Sequence, residues 1–122
     1  MAIVGIGVDV VDLARFSSLV DRTPQIIDRL FTKEEQVSAD GHQLPLISLA
    51  GRFAVKEAVA KALGAPAGMA WHDCEVSNGG APTISISGTV AQVATKLSIT
   101  NWHVSISHDG PVAIAYVIAE KI

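Results

Sequence analysis

Residues 3–11 are almost continuously apolar and rich in β-branched side chains: Ile3, Val4, Ile6, Val8, Val10 and Val11. The run predicts a buried strand. Gly5 and Gly7 interrupt it, and glycine inside a strand marks close approach of another backbone or a ligand. Asp12 stands at an N-cap position before Leu13, Phe16, Leu19 and Val20, so a helix follows. Pro24 ends that helix and opens a short second one through Leu30. Thr32-Lys33-Glu34-Glu35 has capping-box spacing, which predicts a helix running to Asp40-Gly41. Residues 38–45 are polar, end in Pro45 and read as a loop.

The most regular stretch is Leu46 to Leu63, with Leu46, Leu49, Ala50, Phe53, Ala54, Ala58 and Ala62 spaced for one helical face. Gly64 is its C-cap, and Pro66 prevents continuation. Trp71 to Ser77 predicts a strand, Asn78-Gly79-Gly80 a turn, and Thr83 to Ser87 a strand with Ile84 and Ile86 inward. Thr89 to Leu97 predicts an amphipathic helix. Asn101 to Ser107 and Pro111 to Ile118 predict a hairpin closed by Asp109-Gly110. This order gives an α+β fold with an antiparallel sheet.

Composition narrows the class. A chain of 122 residues with 49% hydrophobic content fits one domain, 1–122, with a core of its own. Cys74 is the only cysteine, so no intramolecular disulfide or CxxC zinc site forms, which suits a reducing cytoplasm. The first residues lack a basic leader, so no signal peptide is expected. No apolar run reaches the ~20 residues that span a bilayer. Nine basic and twelve acidic residues give a net charge of -3, which argues against a broad nucleic-acid surface. The basic residues Arg15, Arg22, Arg29 and Lys33 recur at intervals of seven, seven and four. That spacing fits a solvated helix face.

Three places could carry chemistry. Asp9 follows a buried apolar strand, an expensive position for a carboxylate unless a cap, a cation or a metal compensates. Glu57 and Lys61 lie one turn apart, as do Arg52 and Lys56; the spacing alone fits ordinary surface ion pairs. The alanines around Glu57, however, allow a strand to approach closely, so Glu57 could stand opposite Asp9. Two carboxylates suit a hard divalent cation whose other ligands are water and phosphate. Finally, His103, Ser105 and Ser107 share one side of a strand, opposite Val104, Ile106 and His108, and could donate to phosphate or simply face solvent. Cys74 reads as a core residue, and His42 and His72 receive no role.

Four segments in order carry a resemblance: Gly5-Ile6-Gly7-Val8-Asp9 with Arg15, Phe31-Thr32-Lys33-Glu34-Glu35, Arg52-Phe53-Ala54-Val55-Lys56-Glu57-Ala58 with Lys61-Ala62-Leu63-Gly64, and His103-Val104-Ser105-Ile106-Ser107-His108. Together they resemble the holo-acyl-carrier-protein synthase family of 4'-phosphopantetheinyl transferases. The resemblance implies an antiparallel sheet packed on a long central helix, and a homotrimer with sites between subunits. It implies a Mg2+-dependent cytoplasmic enzyme of fatty acid biosynthesis. Such an enzyme moves 4'-phosphopantetheine from coenzyme A to a serine of apo-acyl carrier protein, releasing adenosine 3',5'-bisphosphate. Asp9 and Glu57 would bind Mg2+ and, with Lys61, form the catalytic set. Arg52, Lys61, His103 and Ser105 would contact coenzyme A phosphates, and the turn at Gly64 its adenine end. Arg15 and Arg22, joined by Arg29, would face the carrier. The base is Glu57, Asp9 or a water held at the metal site; the water is favoured, because a carboxylate committed to Mg2+ is a weaker base. Neither nucleic acid nor membrane is an implied partner. Ala81 stands where the family commonly has lysine, and Ser38 to Ser48 lacks the family's usual basic residues, so no contacts carry over there. The competing readings are a non-catalytic coenzyme A-binding trimer and a carrier-binding module of a larger synthase.

Overall fold

The first apolar run forms β1, Ala2–Asp12, in a computed structural model that describes residues 1–77 and 80–122. β1 pairs antiparallel with the last strand, β5 (Val112–Lys121), which pairs antiparallel with β4 (Asn101–Asp109). The sheet order is therefore β1-β5-β4. The register sets Val8 against Tyr116 and Asp9 against Ala115, with one shift between Ile3 and Gly5. Alternation from there turns Gly5, Gly7, Asp9 and Val11 to one face and Ile6, Val8 and Val10 to the other.

The long helix α3, Leu46–Ala62, lies across the first of these faces. Small side chains make the approach possible: Ala113, Ala115 and Ala119 on β5 meet a helix carrying Ala54, Ala58 and Ala62, all buried. A Cβ added at Gly7 would fall 1.8 Å from the Ala58 carbonyl oxygen, and one at Gly5 would fall 2.0 Å from that of Ala62. The two glycines thus let a helix backbone lie directly on a strand, as their position in the apolar run implies.

A second sheet of β2 (Cys74–Ser77) and β3 (Thr83–Ile86) packs on another flank of α3. The helix is consequently buried nearly all round, including Arg52 and Lys56, rather than along one face. Lys56 and Glu35 are both fully buried and form an ion pair of 2.9 Å. Lys56 also donates to the carbonyls of Trp71 (2.8 Å) and Cys74. Glu35 accepts from the amides of Val76 (2.8 Å) and Thr32 (2.9 Å). Every buried charge here has partners, the condition under which such a pair is tolerated.

The same network shortens the helix expected after Thr32. The capping box forms, with Thr32 N donating to Glu35 and Glu35 N donating to Thr32 Oγ1 at 3.3 Å. Only one 3-10 turn, Glu34–Gln36, follows it. Val37 leaves as an extended residue and bridges Gln43. Glu35 is pulled inward by Lys56 and Val76, and tertiary pairing outweighs the local signal.

The helices α1 (Leu13–Arg22), α2 (Ile26–Leu30) and α4 (Gly88–Lys96) fall where expected. Asp12 caps α1 by accepting from Arg15 N at 3.1 Å. Trp71–Asp73 is a 3-10 turn rather than the start of a strand. Asn78 and Gly79 of the expected turn lie outside the described residues. Gly64 closes α3 at φ +83°, and its amide donates to the Lys61 carbonyl at 3.1 Å. Cys74 is wholly buried, and burial pushes its thiol up to about 12, as suits a core residue. The fold class is α+β, as expected, and no helix among the described residues is long and apolar enough to cross a membrane.

Candidate active site

Asp9 is the last inward residue of β1 but one, and the Lys61 side chain reaches it from the final turn of α3. Lys61 Nζ lies 3.0 Å from Asp9 Oδ1 and donates to the Val8 carbonyl at 3.0 Å. Glu57, one turn earlier on α3, joins Asp9 in the wall of a cavity of about 590 Å³ between β1, α1 and α3. The glycine–alanine contact just described is what brings the two carboxylates together from positions 48 residues apart (57 − 9).

Glu57 holds its proton more tightly than an ordinary carboxyl, chiefly because burial disfavours its charge; Asp9 adds to this and Lys61 opposes it. For the metal-free protein the sign follows directly. The folded state binds the Glu57 proton more strongly than the unfolded state, so this group's contribution to stability is present below its ordinary value of 4.5. It is lost as pH rises through the higher folded value. Metal-free Glu57→Gln is therefore expected to melt higher than the parent at neutral pH, with the difference shrinking below that ordinary value. A lower melting temperature for the variant at neutral pH would contradict the strain.

Among the described residues no group of three or more His, Cys, Asp or Glu side chains gathers to hold a metal. Two carboxylates in mutual repulsion beside an open cavity nevertheless fit a hard cation such as Mg2+, which keeps several waters and takes phosphate oxygens as further ligands. They do not fit a structural zinc site, which needs four nitrogen or sulfur-rich ligands.

The cavity also answers where the arginines go. Arg15 and Arg22 of α1 line it together with the apolar Phe16, Leu19 and Phe53. The Phe16 and Phe53 rings stack with centroids 5.7 Å apart, giving the cavity a rigid aromatic floor that charge patterning alone does not disclose. Arg29 does not join them, because α1 ends at Arg22 and the chain turns at Thr23 before α2. Lys33 pairs instead with Asp28 at 3.1 Å.

Arg52, His103 and Ser105 are not brought to the acid pair within one chain. Arg52 is buried and donates through Nη1 to the carbonyls of Glu35 (2.7 Å) and Val76 (3.1 Å), in the wall of a separate cavity of about 170 Å³. Lys56, one turn later, belongs to the core ion pair and has no access to a phosphate. His103 and Ser105 lie on the outer face of the sheet, paired with Ile118 and Tyr116 of β5, and His103 Nε2 is 3.1 Å from Glu120 Oε1. Asp9 looks from the inner face two strands away, about 10 Å in sheet spacing.

The sequence model of the 4'-phosphopantetheinyl transferase superfamily matches residues 5–117. The chain belongs to this superfamily. A holo-acyl-carrier-protein synthase of Beutenbergia cavernae is 55% identical over 121 residues, covering 98% of this chain and 99% of that protein. The crystal structure of holo-acyl-carrier-protein synthase from Neisseria meningitidis superposes with a TM-score of 0.86 at 29% identity, over 98% of this chain and 100% of that one. The Helicobacter pylori synthase, solved in complex with coenzyme A, superposes with a TM-score of 0.80 at 32% identity, over 94% and 99% of the two chains. The acid pair, Lys61 and the α1 arginines of this chain thus sit in a phosphopantetheinyl transferase fold.

Proposed function

We propose that the chain transfers the 4'-phosphopantetheine group of coenzyme A to a serine of apo-acyl carrier protein, with Mg2+ held by Asp9 and Glu57. The supporting observation is the cavity that gathers both carboxylates, with Lys61 salt-bridged to one of them, beneath the Arg15–Arg22 face of α1. Its chemistry matches each reactant: oxygen donors for a cation, an ammonium for phosphate oxygens, and two guanidinium groups for an acidic protein partner.

Mg2+, when bound, neutralises charge on the pyrophosphate oxygens. Asp9 and Glu57 would hold that cation, and Lys61 offsets the negative charge that develops on the bridging oxygen. The carrier serine oxygen bonds to the β-phosphorus as the bridging P–O bond breaks. The bond's electron pair leaves with adenosine 3',5'-bisphosphate, and the serine proton passes to a base at the acid pair. Arg15 and Arg22 steer and seat the carrier, while Phe16 and Phe53 keep the floor dry.

The outer sheet face supports a homotrimer. Val8, Val10 and Tyr116 are each 44–56% exposed there, forming with Ile6 an apolar patch that a lone chain leaves in water. His103 and Ser105 share this face, so on assembly they would serve the coenzyme A phosphates of a neighbouring subunit. The Gly64 turn and Arg52 are proposed as outlying contacts. Sedimentation at the 12.8 kDa of one chain would contradict the assembly. The activity is tested by incubating the protein with coenzyme A and an apo-carrier, with and without Mg2+, and weighing the intact carrier. Gain of one phosphopantetheine only with Mg2+ supports the reading; no gain on any carrier favours a binding protein without transfer.

A further inference from the structure

The ammonium of Lys61 occupies a particular place. It bonds to Asp9 Oδ1 and to the Val8 carbonyl, both at 3.0 Å, so it is fastened to the end of β1 from the last turn of α3. Glu57 faces the same ground from one turn earlier, and feels the charge of both Asp9 and Lys61. One positive charge therefore already stands where two negative charges meet. The freedom to move is unequal. The Asp9 side chain is 15% exposed and carried by a paired strand, whereas the Lys61 side chain is 52% exposed on a flexible four-carbon stem. Lysine can swing aside without unpacking α3, and Asp9 cannot follow it. A divalent cation arriving at Asp9 repels the ammonium, and the two compete for the same carboxylate charge.

We propose that Lys61 is the built-in counter-cation of the acid pair: it neutralises Asp9 and Glu57 in the metal-free protein, yields to the divalent cation, and then pairs with the phosphate oxygens that accompany it. The proposal rests on the reading of Asp9 and Glu57 as the metal ligands. It gives Lys61 two partners in succession and has a thermodynamic consequence. Metal alone must break an ion pair to bind. Metal with a diphosphate lets the displaced ammonium form a new one. Cation and coenzyme A should therefore strengthen each other's binding, and by reciprocity to the same factor.

Isothermal titration with Mg2+ alone, at neutral pH and low salt, separates this role from a purely structural or purely substrate-binding one. Lys61→Met removes the charge from a half-exposed side chain and keeps an apolar stem. It is expected to bind Mg2+ alone more tightly than the parent, on the order of tenfold. Lys61→Arg, which keeps the charge, should stay near the parent. With coenzyme A present, the advantage of Lys61→Met should shrink or reverse. Unchanged or weaker Mg2+ binding by Lys61→Met overturns the counter-cation role, as does continued absence of binding where the parent shows none. Asp9→Asn distinguishes the underlying reading. If the parent's Mg2+ binding survives that substitution, the acid pair is not the metal site; if it is lost while Lys61→Met is unchanged, only the counter-cation role fails.

Discussion

Gly7→Ala is expected to unfold the domain or force β1 off α3, at a cost at or above the ~3 kcal/mol upper end usual for overpacking. The added methyl would sit 1.8 Å from the Ala58 carbonyl oxygen, and that atom is backbone. No rotamer change can move it away. Ala58→Gly should therefore fail to rescue the variant, which separates this clash from crowding between side chains. Gly41, at φ +85° with nothing within 4 Å, is the control: alanine there meets only backbone strain, about 1 kcal/mol. Urea denaturation of the variants checks the order. A Gly7→Ala protein as stable as the parent would mean that β1 and α3 are not in the contact that places Asp9 near Glu57.

The second large effect belongs to Lys56. Lys56→Met leaves Glu35 charged, fully buried and without its cation, a change that costs about 3–5 kcal/mol. Adding Glu35→Gln should recover much of the loss. The amide oxygen still accepts from Thr32 or Val76, and no unpaired charge remains. The double-mutant cycle, measured by the same denaturation, should show strong coupling between the two positions. Independent, small effects would contradict the buried pair.

The two glycines illustrate what is legible in the sequence. A β-branched run broken by glycine, and a helix with alanine every fourth position, together announce a strand lying against a helix backbone. That contact is what juxtaposes Asp9 and Glu57. Less legible is which charged residues of α3 serve the fold. Arg52 and Lys56 look like a solvated face because periodicity records one apolar stripe, but a second sheet covers that flank and both are buried. Glu35 explains the lost helix: a capping box specifies a start, and the distant pull of Lys56 and Val76 decides the length. Strand alternation likewise groups His103 with Ser105, but only the register through β5, with Asp9 against Ala115 and Ser105 against Tyr116, reveals that their face is the one turned away from Asp9. The seven-residue spacing of arginines holds within α1 and stops at Thr23, where the helix does.

The acid pair is tested most directly by Glu57→Gln, with holo-carrier formation followed by intact mass at low Mg2+ and the fold verified by melting. Loss of a metal ligand should lower the rate by about 100-fold or more, since even outer-shell changes reach that scale. The metal-free variant should meanwhile melt no lower than the parent at neutral pH, because the strained carboxylate is gone. A folded Glu57→Gln protein that loads the carrier at near-parental rate at low Mg2+ would contradict the assignment of Asp9 and Glu57 as the metal-holding centre.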